Sequence, residues 1–188
     1  MSRTMTRLIL AGYGGQGVLF MGKVLAQAGM IAGRQVSWIP SYGPEMRGGT
    51  ANCSVVISDK KIGSPTVGKP DIAVVMNTAS FERFVDAVVP GGTLYVNSSI
   101  VVQNSQILTR EDIQMIYIPV NEMAHDLGND QVANIIMLGA MQAITPVVSD
   151  GAFKQAMREL AGKKPGLADL NSQALKAGED FAQRLNLG

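Results

Sequence analysis

The apolar positions follow two rhythms, and the change from one to the other marks the elements. Leu8–Ala11 is a short unbroken apolar run ending at a glycine cluster, the pattern of a strand buried on both faces. From Val18 the period lengthens: Val18, Met21, Leu25, Ala28 and Ala32 share one helical face, with Gly22 and Gly29 beside them. That predicts a helix over 18–32, close to a sheet and ended by Gly33. Gln35–Ile39 reads as a second strand stopped by Pro40, so residues 8–39 form a strand–helix–strand unit with an expected right-handed crossover. A loop, 41–49, follows. Thr50–Ser58 then alternates, with Ala51, Cys53, Val55 and Ile57 on one face.

The rest of the chain continues the alternation of strands and helices. Lys60–Lys69 is polar and broken by Gly63, Pro65 and Gly68, a loop or hairpin. Asp71–Met76 is a buried strand, Thr78–Val88 a helix, Thr93–Val96 a strand after the Pro90-Gly91-Gly92 turn, and Gln114–Ile118 another strand closed by Pro119. The final third is helical: Asn121–Leu127, a long apolar helix capped by Asn129 and ending near Ile144, Asp150–Ala161, and Leu167–Leu187. This order predicts a layered α/β domain with a mostly parallel sheet and a helical C-terminal third, in one piece over 1–188.

Composition changes that picture in one respect. Charged residues are 16% of the 188, where about 25% is usual for a soluble domain. A surface so poor in charge is small or partly covered, which suits a subunit of something larger. The net charge of +1 hides an asymmetry: eight basic against two acidic residues through Lys69, then eight against thirteen from Pro70 onward. Neither half is basic and aromatic enough for a nucleic-acid surface, but the first third favours anions. One cysteine, Cys53, provides neither a disulfide framework nor the roughly four thiolates of an iron–sulfur cluster. Leu8–Ala11 is shorter than a signal-peptide core, and Ile135–Ile144 is about half a membrane span with Gln142 inside it, so a cytoplasmic protein without membrane insertion is expected.

Gly12-Tyr-Gly-Gly-Gln-Gly17 satisfies G-x-G-x-x-G between a predicted strand and a predicted helix. Glycines there permit positive φ and close approach of backbone N–H groups to a ligand, and a helix start adds its positive dipole end. A phosphate cradle is one meaning; a tight turn that only packs helix on sheet is the other. NAD is disfavoured, because its ribose hydroxyls need an acid at the end of the second strand, and nothing acidic precedes Glu45. A free-standing NADP enzyme, with Arg34 or Arg47 on the 2′-phosphate, and a non-catalytic scaffold are the competing alternatives.

The most distinctive segment is Ile39–Ile57, in which Tyr42, Glu45 and Arg47 are the polar side chains and Gly43, Pro44, Gly48 and Gly49 shape the backbone. Gly-Tyr-Gly-Gly-Gln-Gly-Val (12–18) paired with Ser-Tyr-Gly-Pro-Glu-Met-Arg-Gly-Gly-Thr (41–50) closely resembles the gamma subunit of the 2-oxoacid:ferredoxin (acceptor) oxidoreductases, most of all the 2-oxoglutarate type. The resemblance continues through Pro70–Val75, Pro90–Thr93 and Asn121–Ile144. It implies a three-layer, Rossmann-like gamma domain within a complex of alpha, beta and ferredoxin-like delta subunits. That complex oxidatively decarboxylates a 2-oxoacid (2-oxoglutarate, with pyruvate or a branched-chain oxoacid as alternatives), captures the acyl group on coenzyme A and reduces ferredoxin. Thiamine diphosphate, magnesium and iron–sulfur clusters would reside on the other subunits. By the same resemblance Gly12, Gly14, Gly15, Gln16 and Gly17, with Arg47, would line the coenzyme A side, and Tyr42, Glu45 and Arg47 would stand at the site's edge.

No other residue carries a chemical signal of comparable weight. Cys53 is in phase with Val55 and Ile57 and reads as a buried small apolar residue, and His125, beside Glu122 and Asp126, as a surface or cap residue. No Ser–His–Asp set or metal-ligand spacing emerges.

Overall fold

The computed structural model describes residues 4–42, 50–101, 110–160 and 166–185. Its strands are β1 (Met5–Tyr13), β2 (Gln35–Tyr42), β3 (Thr50–Ser58), β4 (Ile72–Val75), β5 (Thr93–Asn97) and β6 (Gln114–Ile118). Its helices are α1 (Val18–Ile31), α2 (Thr78–Phe84), α3 (Val120–Asp126), α4 (Ala133–Ile144), α5 (Asp150–Leu160) and α6 (Leu167–Arg184). The strands form one sheet in the order β2-β3-β1-β4-β5-β6. Pairs β1–β4, β4–β5 and β5–β6 are parallel, while β3 is antiparallel to both β1 and β2. Five of these strands run one way and β3 runs the other, so the mostly parallel α/β sheet expected from the sequence is present.

The strand–helix–strand unit is present as β1–α1–β2, but β3 is inserted between its strands. The cause lies in the side chains. Ala51, Cys53, Val55 and Ile57 of β3 are at most 5% exposed and share a core with α1, so β3 gains most from a central place. β2 carries Ser37, Pro40 and Ser41, and a proline, lacking an N–H, is tolerated on an edge. The ends of two helices also differ from expectation. α2 stops at Phe84 and a 3-10 turn, Val85–Ala87, completes it. Asn129 caps a 3-10 turn over Asp130–Val132, its Oδ1 accepting from Gln131 N at 2.9 Å, and that turn leads into α4.

Two cores make three layers. On one face Leu8, Leu10, Ile72, Val74 and Tyr95 pack with α1, α4 and α5. On the other, Ala73, Val75, Leu94 and Val96 pack with Phe81 of α2, Val85 of its 3-10 turn and Val88 just beyond. α4 is buried on nearly every side because α6 covers it, with Ala174 and Leu175 in the same core. No described helix is long and apolar enough to cross a membrane.

Candidate functional site

β1 and its parallel neighbours deliver their following loops to one edge of the sheet, the place where open α/β sheets hold ligands. Gly12–Gly17 leaves β1 there and turns on a hydrogen bond from Gln16 N to Tyr13 O (3.1 Å). Gly15 and Gly17 have φ of 99° and 74°, values that L side chains rarely adopt. These two positions require glycine. α1 begins at Val18 with no side-chain cap and no acid in its first turn. Its first intrahelical bond is Met21 N to Gly17 O, at 3.0 Å. The N–H groups of Val18, Leu19 and Phe20 therefore precede the helical ladder and face the loop's side of the helix, with the positive dipole end behind them.

Gln16 builds this loop rather than merely occupying it. Its Oε1 accepts from Tyr13 N (2.7 Å) and Asn77 Nδ2 (3.1 Å), and its Nε2 donates to Met76 O (3.0 Å). The loop is thereby tied to the end of β4. From there a ladder of carboxamides runs along the sheet edge: Asn77 Oδ1 accepts from Ser80 N, and Asn97 Nδ2 donates to Met76 O and to Asn121 Oδ1 (2.9 Å). Ser99 Oγ bonds Glu122 and accepts from Asn121 N. Asn77 and Asn97 are fully buried, so each amide must be met within the protein. These residues belong to neither sequence motif. Their only signal along the chain is weak: asparagines stand at or just beyond strand ends, at 77, 97 and 121.

The second distinctive loop leaves and re-enters at the same edge. Tyr42 pairs with Ala51, which pairs with Gly12, and Thr50 pairs with Tyr13. Tyr42 thus ends β2 one strand away from the glycine loop. Glu45 and Arg47 lie outside the described residues, as does the side chain of Tyr42.

Arg34, the other candidate for a 2′-phosphate, stands at the opposite end of β2. Its Nε lies 2.7 Å from Asp59 Oδ1 and its Nη1 donates to Val147 O at 3.1 Å. It braces the amino edge of the sheet and does not serve the glycine loop. His125 is exposed, its Nδ1 3.5 Å from Asp130. Cys53 is buried beneath α1, with Sγ 3.5 Å from Val18 O, and burial pushes its thiol up to about 12. A lone thiol in that state does not fit a cluster ligand or a nucleophile.

The chain is 39% identical over 179 residues to the ketoisovalerate oxidoreductase subunit VorA of Methanothermobacter marburgensis, covering 95% of this chain and 37% of VorA. It thus spans little more than a third of that curated relative. It is 36% identical over 176 residues to the 2-oxoglutarate synthase subunit KorC of the same organism, covering 92% and 94% of the two chains. Among solved structures, the gamma subunit of a keto/oxoacid ferredoxin oxidoreductase from Geobacter sulfurreducens superposes with a TM-score of 0.79 at 30% identity, covering 95% and 98%. A 2-oxoglutarate:ferredoxin oxidoreductase from Magnetococcus marinus, solved with 2-oxoglutarate, coenzyme A and succinyl-CoA bound, shares the fold at a TM-score of 0.88 and 21% identity, covering 99% of this chain and 32% of that one. Residues 7–181 match the sequence pattern of one family from the first strand to the last helix, and the chain belongs to that family, the pyruvate ferredoxin/flavodoxin oxidoreductases.

Proposed function

We propose that this chain is the gamma subunit of a cytoplasmic 2-oxoacid:ferredoxin oxidoreductase and forms the coenzyme A side of its site. One observation carries the placement: the uncapped start of α1, with Gly15 and Gly17 in left-handed conformations and no acid in the first turn. Such a mouth stabilises a phosphate, and β2 ends at Ser41-Tyr42 without the carboxylate that NAD's ribose would need there. The coenzyme A in the Magnetococcus marinus structure supports the choice of ligand. Coenzyme A supplies the thiol that takes the acyl group. The residues of this chain bind and orient its phosphates: Gly12, Gly14, Gly15 and Gly17 through the backbone, Gln16 by holding the loop to β4, and Arg47 as a guanidinium donor from the second loop. Tyr42, Glu45 and Arg47 stand at the junction with the neighbouring subunits. Alpha, beta and ferredoxin-like delta subunits hold the thiamine diphosphate, magnesium and iron–sulfur clusters, and ferredoxin takes the electrons.

The test is a charge placed in the mouth. A Cβ on Gly15 meets nothing within 4 Å, and the strain that its φ of 99° imposes falls equally on two isosteric replacements, so comparing them isolates the charge. Gly15→Asp in the co-expressed complex raises the KM for coenzyme A about 10- to 100-fold over Gly15→Asn, its uncharged isostere. The KM for the 2-oxoacid stays put. Equal KM values for coenzyme A in the two variants would remove the cradle.

For the oxoacid, the resemblance of the sequence favours 2-oxoglutarate, while the 39% identity to a ketoisovalerate oxidoreductase subunit favours a branched-chain 2-oxoacid. Comparing kcat/KM for 2-oxoglutarate, ketoisovalerate and pyruvate with the purified complex separates them.

A further inference from the structure

The structure assigns a further donor to the glycine-loop mouth: we propose that Asn134, at the start of α4, presents its Nδ2 amino group to the phosphate held at the start of α1. This rests on the function proposed above and extends it to a residue that neither motif contains.

Asn134 is 9% exposed. Its Oδ1 accepts from the N–H of Ile135 at 3.0 Å. A backbone N–H can only donate, so the atom it meets is the oxygen, which fixes the amino group on the other side of the carboxamide. That side faces Gly17: a Cβ built on Gly17 would lie 2.1 Å from Asn134 Nδ2 and 2.8 Å from its Cγ. The amide is packed against the residue that opens α1. Among the described residues nothing accepts from Nδ2, and it is not walled off from solvent.

An amino group with no acceptor among the described residues, on a residue otherwise nine-tenths buried and open only toward the mouth, is placed to donate to a bound ligand in exchange for water. Its surroundings select the acceptor. The glycine-loop amides, the N–H groups of the first turn of α1 and the dipole end of that helix all favour negative charge. A phosphate oxygen satisfies the amide and the helix together. Asn134 reaches this place because α4 begins at the same sheet edge as α1, and because Gly17 has no side chain to hold the two helices apart. A larger residue at 17 would fill the space the carboxamide occupies, so Gly17 serves the site twice, once by its φ and once by its missing Cβ.

Asn134→Asp removes the amino group at constant shape, and Asn134→Ala removes it without adding a charge. The aspartate keeps an oxygen for Ile135 N–H and the packing against Gly17, loses the donor and adds a charge. The assembled complex, with subunit stoichiometry and thermal midpoint recorded, is titrated with coenzyme A by calorimetry, and the KM for the 2-oxoacid is measured in parallel. We expect the Kd for coenzyme A to rise at least 10-fold in Asn134→Asp and several-fold in Asn134→Ala, with the 2-oxoacid KM and the ligand-free midpoint near those of the parent. If the aspartate variant fails to assemble, the alanine variant decides by the same readout. Gly15→Asp, titrated alongside, separates the two claims. Weakened binding in Gly15→Asp with unchanged binding in the Asn134 variants overturns the role of Asn134 and leaves the cradle standing. Unchanged binding in both overturns both. Weakened binding in the Asn134 variants but not in Gly15→Asp overturns a shared phosphate. A fall in midpoint together with a rise in both the Kd and the oxoacid KM makes Asn134 structural and overturns the proposal.

Discussion

Replacing Gly178 with alanine lowers the unfolding free energy by about 2–4 kcal/mol, against a helix-propensity gain of roughly 1 kcal/mol that the same change brings in an open helix. The sign is decided by what the new methyl meets. A Cβ on Gly178 of α6 would lie 2.1 Å from Ile136 O and 2.7 Å from Ala140 N of α4. Facing it, a Cβ on Gly139 would lie 2.3 Å from Leu175 O. These are backbone atoms inside two intact helices, so neither rotates away, and the helices must separate along the whole contact. Separation removes the cover from α4, whose Ile136, Met137 and Ala140 are fully buried. Gly139→Ala is expected to cost a similar amount, and the double variant less than the sum, because helices already separated accept the second methyl at small further cost. Gly151 is the internal control. It lies in α5, where an added Cβ would meet nothing within 4 Å, so Gly151→Ala gains up to about 1 kcal/mol. Urea unfolding of the four variants gives the order, and a stabilised Gly178→Ala would refute the close contact.

That contact shows which parts of the fold the sequence could carry. β3 and β6 occur over the predicted residues because alternation and a closing proline are local signals. α1 likewise follows its apolar stripe. The insertion of β3 between β1 and β2 was not legible, since alternation states which face is buried and says nothing about which strand lies alongside. The α4–α6 contact was hidden for a related reason. α4 is almost wholly apolar and buried on nearly every side, so no stripe points at a partner, and Gly139 and Gly178 look like tolerated costs when each is read within its own helix.

The candidate site divides in the same way. The glycine loop is legible because its chemistry is compressed into six consecutive residues. The use of Gln16 is not, because its partners Asn77 and Met76 lie 61 and 60 residues further on. Asn134 is hidden too, because only the meeting of two helix starts gives its amide a role. Arg34 misleads for the opposite reason. Its position beside the second strand suggests a ligand contact, and the strand's direction carries it to the far edge.

Alkaline pH unfolds this protein earlier than its surface charges alone would. In the folded chain burial raises the Cys53 thiol from an ordinary value of 9.0 to about 12, opposed by the Trp38 indole and the Gly22 backbone. Burial likewise raises the Tyr95 phenol from 10.0 to about 12, opposed by its hydrogen bond to Thr145 Oγ1 at 2.6 Å. Both groups are held neutral by the fold and are free to ionise once it opens. Between the unfolded and folded values the unfolded state therefore binds fewer protons, and stability falls as pH rises. Cys53 contributes a decline that starts near pH 9 and Tyr95 one that starts near pH 10, each with a limiting slope of about 1.4 kcal/mol per pH unit. Carried to pH 12, these amount to about 4 and about 3 kcal/mol, comparable to the whole stability of many domains. Variants separate the two. Cys53→Ala costs about 1 kcal/mol at pH 7 for the lost sulfur and removes the decline between pH 9 and 10. Tyr95→Phe loses the bond to Thr145 and lessens the slope above pH 10 by about 1.4 kcal/mol per pH unit, leaving the decline due to Cys53. The quantity to compare is the difference in slope between each variant and the parent, in which every group common to both cancels. Parallel curves for Cys53→Ala and the parent from pH 9 to 10 would mean that the thiol ionises within the folded chain, and that the seam between α1 and β3 is not closed to water.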